Sequence, residues 1–160
     1  MSRRLDELCR IGQLASVPVQ LGPRELPMRR LYWTAGFEQW CRAIILSGTR
    51  STSIAMHDEQ LNQAFADFVT GRPLTGMTKC DPPRGQAIWK LKTPDFRLFG
   101  WADEPQCMVL VAAELKKILM APGPPKDRHL GAQVVAERRR LGFAKWTYGE
   151  IFNVFPKTSS

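Results

Sequence analysis

The chain has 160 residues, 44% of them hydrophobic, and a formal net charge of +8, which fits one core-forming domain or one such domain with extensions. No run approaches the roughly 18 apolar residues of a membrane helix, and Met1-Ser-Arg-Arg leads into a mixed polar stretch without the apolar core of a secretory leader, so a cytoplasmic protein is expected. Cys9, Cys41, Cys80 and Cys107 are scattered without metal-ligand spacing, which argues against a structural zinc and, at this length, against a disulfide framework.

The charge is uneven. Residues 84–140 hold eleven Lys/Arg against six Asp/Glu, whereas residues 34–83 hold four against five. The basic excess serves either solubility alone or an acidic partner such as nucleic acid.

Residues 1–27 read as an N-terminal extension. Leu5, Leu8, Ile11 and Leu14 recur every three residues, consistent with a short helix, and Ser16–Leu21 reads as an extended segment placed at an edge by Pro18. Met28–Trp33 has strand character. Thr34 then stands as a helix N-cap. Phe37, Trp40, Cys41, Ile44 and Ile45 make an amphipathic stripe that reads as core. The hydroxyl-rich segment 47–53 breaks that helix. A second helix is expected over His57–Val69, with Leu61, Ala64, Phe65 and Phe68 on one face and Gly71-Arg72-Pro73 as its stop. Residues 71–86 read as a long loop, with Arg84 near its end either solvated or within reach of a phosphate.

The segment Ile88–Asp103 reads as two strands joined by a turn at Thr93-Pro94-Asp95. Alternation puts Lys90 and Lys92 on one side of the first strand and Trp89 and Leu91 on the other. On the second, Arg97, Phe99 and Trp101 share a side, and Phe96 and Leu98 share the opposite one. Gln106–Ala113 is a third apolar strand, so the three form an antiparallel meander. One face is expected to be apolar and the other to carry the two lysines and the arginine, a set suited to phosphate. The same lysines would also serve simply to keep a strand face from aggregating.

Glu114–Met120 reads either as more strand or as one or two helical turns. Residues 126–142 form a last helix, with Leu130, Val134, Val135 and Leu141 apolar. Arg138-Arg139-Arg140 at its end favour the helix dipole. Residues 143–160 form a tail too apolar to be left in water, and Trp146, Phe152 and Phe155 are expected to be buried. The fold class is therefore α+β: an antiparallel sheet containing the meander, two helices near 35–46 and 57–70 on one face, and a C-terminal helix.

Leu31-Tyr-Trp-Thr-Ala-Gly-Phe-Glu-Gln-Trp40, Ile88-Trp-Lys-Leu-Lys92 with Asp95-Phe-Arg-Leu-Phe99, and Met108–Lys117 together resemble the RelE/HigB superfamily of bacterial toxins, including its phage-derived Gp49-like branch. The resemblance spans roughly residues 28–142, which it implies form a RelE-like domain. Active members of that family cut messenger RNA, usually on the ribosome, and are held by a cognate antitoxin. The resemblance implies catalytic residues at Lys90, Lys92 and Arg97, and nucleic-acid contacts at Arg84, Lys116, Lys117 and Arg128.

The chemistry of that set is consistent with RNA cleavage by the substrate's own 2′-OH. A lysine crowded by other cations is a candidate base, and an arginine can stabilise the phosphorane. No metal or other cofactor is needed. As an exposed strand residue, Arg97 is expected to contribute little to stability. Two other readings stand beside this one: a non-catalytic RelE-like protein that binds nucleic acid or protein, and an unrelated α+β interaction domain.

Overall fold

The computed structural model describes residues 3–47, 56–73, 76–80, 86–104, 106–123 and 126–143. In chain order these form α1 (Arg3–Arg10), β1 (Leu14–Ser16), β2 (Arg30–Thr34), α2 (Ala35–Ser47), α3 (His57–Val69), β3 (Met77–Cys80), β4 (Ile88–Lys92), β5 (Phe96–Glu104), β6 (Cys107–Leu115), α4 (Lys116–Leu119) and α5 (Asp127–Arg140). The expectations for Arg84 and for Trp146, Phe152 and Phe155 lie outside the described residues.

The strands form one sheet in the order β1-β2-β6-β5-β4-β3. β4, β5 and β6 pair in sequence, each antiparallel to the next. The expectation of a wholly antiparallel sheet is corrected at one place: β2 runs parallel to β6, with Arg30 opposite Cys107 and Trp33 opposite Leu110. Both strands are interior to the sheet. Leu31 to Thr34 and Cys107 to Leu110 are buried without alternation, the pattern of strands covered on both faces. The segment 71–86, expected as a loop, contains the edge strand β3, paired antiparallel to β4. The extended edge segment expected over Ser16–Leu21 is shifted to Leu14–Ser16, where it forms β1 at the other edge, paired antiparallel to β2.

Local chemistry sets the helix boundaries. The Thr34 hydroxyl accepts the Phe37 N–H at 3.3 Å and starts α2. Glu59 accepts the Met56 N–H at 3.3 Å at the start of α3. That helix ends where Gly71 takes φ +80°, a conformation an L side chain resists. Buried Arg29 seals the same end, donating from Nη1 to the carbonyls of Phe68 at 3.2 Å and Arg72 at 3.0 Å.

Both faces of the sheet are covered. On one, Phe37 and Cys41 of α2 and Leu61, Phe65 and Phe68 of α3 pack against Trp33, Trp89, Leu91, Phe96, Leu98 and Leu110. On the other, Leu5 and Leu8 of α1 and Leu130, Val134 and Val135 of α5 pack against Ile88, Phe99, Trp101 and Val109. The expectation of a second, open face carrying the basic residues is thus corrected. Phe99 and Trp101 share that face and are fully buried, so a cover is required. Gly100 lets β6 approach closely at a bulge: a Cβ there would stand 2.0 Å from the Val109 carbonyl oxygen. No helix among the described residues is long and apolar enough to cross a membrane.

Candidate functional site

α5 does not cover its face to the end. Where its first turn meets the β4–β5 turn and α4, a cleft of about 560 Å³ opens, lined by Lys90, Lys92, Arg97, Lys116, Leu119, Met120, Lys126 and Asp127. Strand alternation delivers Lys90 and Lys92 to one side of β4, and the register sets Arg97 directly opposite Lys92. α4 begins at the end of β6, which brings Lys116 to the rim. Five cations thus meet one carboxylate.

The three residues expected to be catalytic are held differently. Lys90 is part-buried, and its Nζ donates to Asp127 Oδ2 at 2.8 Å. The same ammonium lies 5.9 Å from the centre of the Phe99 ring. Lys92 is exposed; its backbone N–H donates to the Gly76 carbonyl at 3.1 Å, while its ammonium has no ion-pair partner among the described residues. Arg97 is half-buried, and its Nη1 donates to the carbonyls of Thr93 at 2.7 Å and Phe96 at 2.8 Å. Burial pulls the Arg97 guanidinium below its ordinary value, and the Asp127 carboxylate opposes that shift. Arg97 is therefore a brace of the turn as well as a cleft cation, which corrects the expectation of a freely exposed strand arginine.

Of the residues expected to contact nucleic acid, Lys116 lines the cleft. Lys117 and Arg128 are exposed but lie outside its lining. Sequence reasoning missed Lys126, Asp127, Leu119 and Met120. Asp127 in the first turn of a helix reads only as a dipole partner, and nothing in the sequence couples it to Lys90, 37 residues away.

A wider hollow of about 780 Å³ lies between Pro18–Gln20 and α3, lined by Glu59, Asn62, Gln63 and Ala66. Its polar groups are amides and a single carboxylate, so it lacks a convergent set of charges. The basic cleft is where charged side chains converge.

No family model, curated protein or solved structure matches this chain.

Proposed function

We propose that the chain is a RelE/HigB-like, metal-independent endoribonuclease of a toxin–antitoxin pair, and that the cleft binds and cuts RNA. The observation that carries this reading is the cleft itself, with five cations and one carboxylate lined up beside the β4–β5 turn. Cations at close quarters hold a phosphodiester and stabilise the extra charge of a phosphorane. Arg97 and Lys116 take the non-bridging oxygens. Asp127, fixed by Lys90, accepts the proton of the 2′-OH as its oxygen attacks phosphorus. The Lys92 ammonium donates a proton to the 5′-oxygen as the P–O5′ bond breaks. The products are a 2′,3′-cyclic phosphate and a 5′-hydroxyl.

The test is cleavage of a labelled RNA oligonucleotide in the presence of EDTA, beside induced expression in a bacterial host. Wild type should cut and arrest growth. Lys92→Met and Arg97→Lys should cut at least about a hundredfold more slowly, the range of a lost acid–base or charge-stabilising group. A 2′-deoxy residue at the scissile position should block cleavage.

One observation favours a second reading. Lys90 is engaged by Asp127, and Arg97 by two carbonyls, so a cleft that only binds RNA is the alternative. Salt-dependent RNA affinity with no cleavage by wild type would select it. In either case an antitoxin would inhibit by screening this cleft, most simply with carboxylates.

A further inference from the structure

The basic cleft lies on the α5 side of the sheet, yet its arginine is held from the α3 side. Gln60 on α3 and Thr93 in the β4–β5 turn are both buried polar residues, 5% and 7% exposed. Gln60 Nε2 donates to Asp95 Oδ2 at 2.8 Å, and its Oε1 accepts from Asp95 N at 3.0 Å and from the Thr93 hydroxyl at 3.3 Å. His57, one turn earlier and also buried, brings Nε2 to 3.2 Å from the same carboxylate oxygen, with its ring 4.7 Å from that of Phe96. The Thr93 hydroxyl in turn accepts the Phe96 N–H at 2.9 Å.

The two residues at the ends of this turn, Thr93 and Phe96, offer the carbonyls that grip Arg97. The Asp95 carbonyl accepts the Lys116 N–H at 2.7 Å and so fixes the start of α4. Asp95 is thus bound through its N–H, its carbonyl and its carboxylate. A turn needs none of this merely to close, since the Thr93 N–H already donates to the Phe96 carbonyl at 3.0 Å. Burying several polar groups costs free energy unless their bonds are made; here His57 Nδ1 stays buried without a partner, and what the bonds that are made achieve is a fixed aim for two cleft cations.

We infer that Gln60 and His57 are positioning residues, which act through the Thr93–Phe96 turn to set Arg97 and Lys116 in the cleft. The consequence for RNA rests on the cleft being the RNA site, as proposed above. The consequence for Arg97 itself does not.

The experiment is a double-mutant cycle on Gln60→Leu and Arg97→Ala. Its two readouts are the affinity for a fluorescein-labelled RNA oligonucleotide in EDTA and the hydrogen exchange of the Arg97 guanidinium by NMR. Gln60→Leu should weaken RNA binding by about tenfold, within the coupling seen inside one hydrogen-bond network. In the Arg97→Ala background its further effect should shrink to the smaller part carried through Lys116, which a general loss of stability would not reproduce. Exchange at Arg97 should speed up in folded Gln60→Leu. Additive losses of affinity, or unchanged exchange at Arg97, overturn the inference. Should Gln60→Leu not fold, His57→Phe runs the same cycle: it keeps a ring against Phe96 and removes the bond to Asp95. If wild type binds no RNA, the cleft reading fails, and the exchange of Arg97 still decides the positioning role.

Discussion

Replacing Asp127 by asparagine separates three properties that ordinarily move together. In the proposed reaction Asp127 takes the 2′-OH proton, so Asp127→Asn should slow cleavage by about a hundredfold or more. Its effect on binding should have the opposite sign. A carboxylate about 4 Å from a bound phosphate costs about 1 kcal/mol in a water-like medium. Removing it also frees Lys90, now engaged at 2.8 Å. RNA should therefore bind about fivefold more tightly. Stability should fall. At an effective dielectric of about 20, two unit charges 2.8 Å apart attract by roughly 6 kcal/mol before desolvation is counted. The partners are only 17% and 29% exposed, so desolvation offsets most of that. A net loss of about 1–2 kcal/mol remains, worth roughly 2–8 °C in Tm at this chain length. Fluorescence anisotropy, a cleavage time course and a thermal melt on one preparation read all three. Weaker binding alongside slower cleavage would refute the reasoning, because the carboxylate would then be organising the cations rather than opposing the phosphate.

Lys92→Met should change stability by no more than about 0.5 kcal/mol, being exposed, while lowering the salt dependence of RNA binding by about 0.7 in log–log slope; a drop in Tm like that of Asp127→Asn would contradict the assignment of Lys92 as a cation with no ion-pair partner among the described residues. Arg97→Ala, by contrast, should destabilise by about 1–3 kcal/mol, because the Thr93 carbonyl loses a charged donor at 2.7 Å; a chemical denaturation curve matching wild type would show that the brace is not formed. Gly100→Ala should be the more severe change, costing about 3 kcal/mol or more. The added Cβ must push away the Val109 carbonyl at 2.0 Å, and a soluble variant with an unaltered Tm would exclude this register of β5 on β6. Finally, Cys41 is fully buried and its thiol is pushed up to about 11 by burial. Iodoacetamide at mildly alkaline pH should leave Cys41 unmodified in the native protein and reach the part-exposed Cys9 before it, as read by peptide mass spectrometry.

The sequence made some features legible because they are local. Thr34 before an aromatic stripe announced α2, and the bounds of α3 followed from its apolar face and the Gly71 stop. Alternation in 88–101 sorted side chains to the correct sides of β4 and β5. What escaped was non-local. β3 is four residues long, so it has too little pattern of its own and exists by pairing with β4. The direction of β2 against β6 is set by what lies between them in the chain, not by either strand's residues. The network of Gln60 and His57 joins positions some 35 residues apart, through side chains common on solvated helix faces.

The same limit explains how the cleft was half seen. Reading Lys90, Lys92 and Arg97 as one side of the hairpin was sound, but that side also carries Ile88, Phe99 and Trp101. Two large aromatics cannot be left in water without a cost of several kcal/mol. Some element had to cover them, and the stripe Leu130, Val134, Val135 of α5 was available. Once α5 is laid on that face, the basic residues cannot form an open surface; they are confined to the margin where the helix begins. Its first turn then contributes Asp127 to the cations and Lys126 to the rim. The apolar requirement of Phe99 and Trp101 therefore turns a flat basic face into a cleft. The carboxylate that the proposed chemistry needs arrives on the helix recruited to cover them.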